Sequence, residues 1–206
     1  MPENITKHLA LSVTTLGETT NAVIMEVGAV AFDPHGTLLG DITPTSEGVL
    51  YRNISFQTCL ALGLDVDEVS VLKLLNREPT AHERVTQMPK VSISAACDAL
   101  MKFCAEHNTN KIWCNHGGHA AWVMASAFKR LRKVVPWATK DVRCTSTLFS
   151  TVNMTEVLWK DLMRRPTRTH PTELAWAFAR TIQYCLNEDT HDEPPLEIMP
   201  GQFLAG

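Results

Sequence analysis

The sequence predicts an α/β fold in which one mixed central sheet is flanked by helices. The first part of the chain reads as a meander of β-favouring runs, and the second part as helices interleaved with single short strands. Such an order favours one sheet that contains both antiparallel and parallel neighbours. No internal repeat is visible, so we expect one domain over residues 1–188 and an acidic, Pro- and Gly-containing tail over residues 189–206.

The predicted meander has four strands. The first runs from Lys7 to Thr14, and the second covers Ala22–Phe32 after the turn-forming run GETTN. DPHG then reads as a turn, because proline stands second and glycine fourth. TLLGDITP (residues 37–44) and GVLYRNIS (residues 48–55) are predicted as the remaining two strands.

Helical periodicity begins after the meander. DEVSVLKLLNR carries Val69, Leu72 and Leu75 at helical spacing, and TAHERV continues as a short helix. SISAACDALMKFCAEHN is the clearest helix, with Ser92 as its N-cap. The remaining predicted elements are a strand at KIWCN, a helix at HAAWVMASAFKRLRK, a strand around Val142 followed by a helix, and a final helix at HPTELAWAFARTIQYCL.

Composition narrows the class of protein. The chain has 206 residues, 45% of them hydrophobic, which is typical of a globular domain with a real core. A formal net charge of −3 argues against a protein that coats nucleic acid generally. The six cysteines are scattered without a C-x-x-C pair, and neither a signal pattern nor a long apolar run is present, so we expect reduced thiols, no membrane segment and a cytoplasmic location.

Five segments, in order over residues 7–185, resemble the DnaQ-like 3′–5′ exonucleases of the RNase H-like fold, and in particular their DexA-type or Rv2179c-like branch. They are TLGETTNAVIMEVGAVAFDPHG, YRNISFQTCLALGLDVDEVSVLKLLNREPTAHERV, IWCNHGGHAAWVMASAFKRL, VPWATKDVRC and HPTELAWA. The resemblance implies an RNase H-like sheet. It also implies an ancestral chemistry in which four carboxylates hold two Mg²⁺ or Mn²⁺ ions about 3.5–4 Å apart and a histidine acts as general base.

The carboxylates of that chemistry are absent from this chain. The family's Asp-x-Glu falls on Ser12 and Thr14, and its two later aspartates fall on Ala120 and Ala175, whereas the histidine persists as His170. Hydroxyl and methyl groups do not replace the anionic oxygens that such hard cations require. We therefore expect no catalytic residue, no metal and no cofactor. Glu18, Glu26 and Glu173 are the candidate ligands of a metal site formed at other positions.

Several residues remain candidates for binding. Asn115 and Arg143 persist at family positions and are candidate phosphate or partner contacts. The same role is open to a basic loop before His170, which carries Lys160, Arg164, Arg165 and Arg168. The branch's Trp-Trp pair, a base-stacking platform, falls on Lys73-Leu74.

Two further features have an ordinary reading and a functional one. In CNHGGH, a soft-metal site formed by Cys114, His116 and His119 is less favoured than a Gly-rich turn with incidental histidines. Trp122 and Trp176 flank the lost aspartate positions, where they either belong to the ordinary core or fill the former cleft.

Three functions follow as hypotheses. The leading one is an inactive exonuclease-fold protein that binds a protein partner, for example a phage or mobile-element regulator or inhibitor of a nuclease or defence complex in a host cytoplasm. The first alternative is a single-stranded nucleic-acid-binding module that does not cleave. The second is an active metal-dependent 3′–5′ exonuclease with relocated ligands. The resemblance also implies a homodimer.

Overall fold

A computed structural model describes residues 6–40, 46–76, 83, 88–151 and 170–187. Within them, five strands form one sheet in the order β3-β2-β1-β4-β5. The strands are β1 (Lys7–Thr15), β2 (Ile24–Phe32), β3 (Val49–Asn53), β4 (Thr109–Cys114) and β5 (Val142–Cys144). β1, β2 and β3 form an antiparallel meander, and β4 and β5 continue the sheet parallel to β1, so the predicted mixed sheet is confirmed.

Six α-helices accompany these strands in the described residues. They are α1 (Phe56–Ala61), α2 (Glu68–Leu75), α3 (Ile93–Glu106), α4 (His119–Arg130), α5 (Thr145–Thr151) and α6 (Pro171–Leu186). Ser92 caps α3 as predicted, because its hydroxyl accepts a hydrogen bond from the Ala95 N–H at 3.1 Å. None of the described helices has both the length and the apolar character of a membrane span.

Alternation along β1 divides the core into two apolar clusters. Leu9 and Leu11 point into the larger cluster, which α3 and α4 cover, whereas Ala10 points into the smaller one beneath α6. β2 is buried along its whole length because helices cover both faces of the sheet at this strand. The position of the first turn of α6 determines the surroundings of the site described below.

One expectation from the sequence is wrong. Thr37–Gly40, predicted as the start of a strand, is irregular, because its backbone bonds to α6 instead of to the sheet: the Leu39 N–H donates to Gln183 and the Leu39 carbonyl accepts from Arg180. The helix predicted from Val69, Leu72 and Leu75 is present as α2, which contacts the core through Val71 and Leu74.

Some predictions concern segments beyond the described ranges. They are residues 41–44 of the predicted third strand, TAHERV apart from Glu83, and the tail over residues 189–206.

Candidate functional site

Ser12 and Thr14 lie on the face of β1 that α6 covers, because they alternate with Leu9 and Leu11 and follow Ala10 on the same side. Both side chains are nearly inaccessible, with exposed fractions of 7% and 6%. The sequence therefore places the two positions on one face as expected, but that face is closed over them.

The closure comes from the first turn of α6. Gly28 pairs directly with Ser12 across the β1–β2 ladder. A Cβ atom at Gly28 would lie 2.3 Å from the Thr172 nitrogen and 2.4 Å from the Pro171 carbonyl carbon. The backbone of α6 therefore rests on the bare Cα of Gly28, and only glycine permits this approach.

A buried carboxyl group adjoins Thr14. Glu26 is the cross-strand partner of Thr14 and is fully buried. The Thr14 hydroxyl donates to Glu26 Oε2 at 2.9 Å, and the Tyr51 hydroxyl donates to Glu26 Oε1 at 2.7 Å. A glutamate at position 14 would bring a second acceptor to this carboxyl group, whereas threonine supplies a donor. Threonine at position 14 is thus matched to Glu26 by hydrogen bonding.

His170 lies at the start of α6 beside the same group of residues. Its Nδ1 accepts a hydrogen bond from the Thr172 N–H at 3.3 Å and also contacts the Thr172 hydroxyl, so the imidazole serves as the helix N-cap. Its ring lies against Tyr51, with centroids 4.7 Å apart. The capping hydrogen bond and the contact with Tyr51 give the His170 ring a structural role at the start of α6.

Ala120 and Ala175 are buried in different parts of the core. Ala120, 7% exposed, belongs to the larger cluster, and Ala175, with no exposed surface, belongs to the smaller cluster with Trp176. The Trp176 indole N–H donates to the Gly40 carbonyl at 2.8 Å, and the Arg180 guanidinium lies 5.5 Å from the ring centroid. Trp176 therefore belongs to the apolar core around Ala175, which is the ordinary one of the two interpretations given for it above.

The comparisons with known proteins agree with this architecture. A family model described as a 3′-5′ exoribonuclease Rv2179c-like domain matches residues 7–186. The chain belongs to this family. A search of curated proteins found no match. The match confirms the resemblance to the exonuclease family, and it agrees with the RNase H-like form of the five-stranded sheet.

Two of the acids considered for a relocated metal site of this exoribonuclease-like domain have defined surroundings. Glu18 points outward and pairs with Lys73, with Oε1 3.3 Å from Nζ and 84% of the glutamate side chain exposed. Glu26 is enclosed as described above. Among the described residues, no group of three or more His, Cys, Asp or Glu side chains is arranged to hold a metal ion.

Asn115 and Arg143, the two candidate contacts near the ends of β4 and β5, bond within the chain. The Asn115 side-chain oxygen accepts from the Thr145 hydroxyl at 3.4 Å and from the Ser146 hydroxyl. Arg143 donates through Nη1 to the carbonyls of Lys140 and Val142. These bonds connect β4 to the start of α5 and close the turn before β5, so both residues have structural roles here.

The CNHGGH segment forms a tight turn between β4 and α4. His116, Gly117 and Gly118 have positive φ angles of 49°, 65° and 87°. Burial raises the pKa of Cys114 to about 12, and its side chain has no exposed surface, so this thiol faces the core and not the histidines. Trp122 donates its indole N–H to the Gly117 carbonyl at 3.1 Å and stabilises the turn.

The basic loop with Lys160, Arg164, Arg165 and Arg168 lies outside the described residues. Two residues of the site went unrecognised in the sequence. Gly28 and Tyr51 become important only through cross-strand pairing, since each lies opposite a partner more than ten residues away. The signal available in the sequence was a glycine inside a buried strand, which indicates close backbone approach.

Proposed function

We propose that this protein is a catalytically inactive member of its exoribonuclease-like family and that it acts by binding another protein. The observation that carries the proposal is the state of the four family metal-ligand positions. Ser12, Thr14, Ala120 and Ala175 have no carboxylate, and each is at most 7% exposed. Two divalent ions need anionic oxygen ligands and access for the substrate, and this arrangement supplies neither.

Hydrogen bonding at position 14 supports the same proposal. Here the Thr14 hydroxyl donates to Glu26, and removing a donor from a buried acceptor costs about 1–3 kcal/mol. The substituted position therefore contributes to folding in its present form.

The partner proposed is a nuclease or a defence complex, which a phage or mobile element would regulate or inhibit through this protein, and the proposed assembly is a homodimer. Family resemblance alone supports these finer statements. Non-cleaving single-strand binding is less favoured, because Asn115 and Arg143 already bond within the chain.

The test is calorimetric titration of the chain with Mn²⁺, followed by incubation with a 3′-end-accessible RNA strand. We expect no binding at micromolar Mn²⁺ and no shortening of the strand. A 3′-5′ exoribonuclease that retains its carboxylates serves as the positive control, which shows that the titration detects Mn²⁺ binding and that the strand can be trimmed. Micromolar Mn²⁺ binding by the unmodified chain, with trimming that stops in Glu18→Ala or His170→Ala, would overturn the proposal.

A further inference from the structure

Helix α2 is apolar on two sides, but the core covers only one of them. Val71 and Leu74 pack partly buried against the larger cluster. On the outer side, Val69, Leu72 and Leu75 are 59%, 50% and 59% exposed. A helix with apolar residues on opposite sides is typical of one that packs between two partners. The sheet and its helices supply one partner for α2.

Val69, Leu72 and Leu75 recur every three residues and form an oblique row on the outer side of α2. Val66, 37% exposed, lies in the extended segment before the Asp67 N-cap and adds a fourth exposed apolar side chain. We call these four residues the α2 stripe. The helix has eight residues, so it is about 12 Å long, or two turns. A ridge of this spacing fits the groove of another helix.

Acidic side chains outnumber basic ones among the described residues on α2 and beside it. Asp65 and Glu68 are exposed near its start, and Glu18 pairs at 3.3 Å with Lys73, the basic residue of α2. These four described side chains carry a net negative charge, and we call them the acidic rim. Charge complementarity at an interface steers a partner of the opposite sign.

We propose that the α2 stripe binds an amphipathic helix of another protein, whose apolar residues recur every three to four positions and whose flanks carry lysine or arginine. This inference rests on the proposed function and names the chemistry of the partner. The α2 stripe provides the apolar contact surface, and the acidic rim favours a basic helix over an acidic one.

A second copy of the chain fits the stripe less well. A two-fold contact would bring the two acidic rims together, and like charges oppose such a contact. A helix from another protein avoids this difficulty, because its flanks are of opposite charge.

The test uses the full chain and fluorescence anisotropy with a labelled synthetic helix of about 18 residues, with leucine every three to four positions and lysine elsewhere. A second peptide carries glutamate in place of lysine. We expect the lysine peptide to bind and Leu72→Ser to weaken it about tenfold. Val134→Ser is the matched control, since Val134 is 80% exposed and lies outside the stripe. Glu68→Lys is expected to weaken the lysine peptide and strengthen the glutamate peptide.

Four results would overturn the proposal. They are no binding of the lysine peptide, equal losses in Leu72→Ser and Val134→Ser, equal binding of the two peptides, and a dimer in sedimentation that Leu72→Ser converts to monomer, which would make a second copy the occupant. The Mn²⁺ titration tests the proposed function separately because it does not involve α2. Absence of both metal binding and peptide binding would thus reject this surface and leave the inactive site standing.

Discussion

Acid is expected to destabilise the fold through one buried histidine. His8 is 9% exposed, and its Nδ1 accepts a hydrogen bond from the Trp113 indole N–H at 3.1 Å. Its ring also lies edge-on to Phe32, with centroids 5.8 Å apart. Burial, followed by the charge of Lys111, lowers the pKa of His8 from 6.5 to about 4.

The direction of the pH effect follows from this shift. Because the pKa of His8 is lower in the folded chain than in the unfolded chain, the unfolded chain binds more protons as the pH falls below 6.5. His8 therefore contributes full stability above its unfolded pKa, and that contribution is lost as the pH falls toward 4. Linkage gives a loss of about 2 kcal/mol between roughly pH 7 and pH 5, as an upper estimate.

The assay is urea unfolding followed by tryptophan fluorescence at the two pH values. His8→Gln keeps an acceptor for the Trp113 N–H but does not titrate, so we expect it to remove most of this pH dependence. His116→Gln is the control, because His116 is exposed and is not among the groups whose charge shifts the pKa of His8, so the loss should remain. Equal losses in the unmodified chain and in His8→Gln, or an imidazole that titrates near 6.5 by NMR, would refute the reasoning.

Two more predictions concern the surroundings of the site. Gly28→Ala is expected to destabilise the fold by about 1–3 kcal/mol or more, because the new methyl group would overlap the backbone of Pro171 and Thr172. Gly40→Ala is the control and should be nearly neutral, because a methyl group there meets nothing within 4 Å. Equal urea midpoints for the two variants would contradict the close contact at Gly28. Among the six cysteines, Cys144 should be alkylated first by iodoacetamide near neutral pH. Burial alone would raise the pKa of its thiol, but hydrogen bonds from Thr147 and the Gly117 N–H lower that pKa below its usual value. Peptide mass mapping that found Cys185 modified earlier would contradict this prediction.

Local patterns in the sequence were sufficient for the elements whose side chains divide cleanly between core and solvent. The buried run of β2 and the Ser92 cap of α3 were both recognisable, because strand burial and helix capping depend on neighbours in the chain. The same patterns misled at Leu39, whose backbone bonds to α6 far along the chain. At Leu72 the pattern predicted the helix, and the structure added which of its faces meets the core.

The sequence by itself determined the fold class, the family and the absence of carboxylates at Ser12, Thr14, Ala120 and Ala175, because residue order and residue type suffice for these. Only the tertiary structure decided that these positions are closed. It also showed that the Thr14 hydroxyl serves Glu26 and that α6 rests on Gly28. Those facts depend on strand register and on the approach of a distant helix, which no short stretch of sequence encodes.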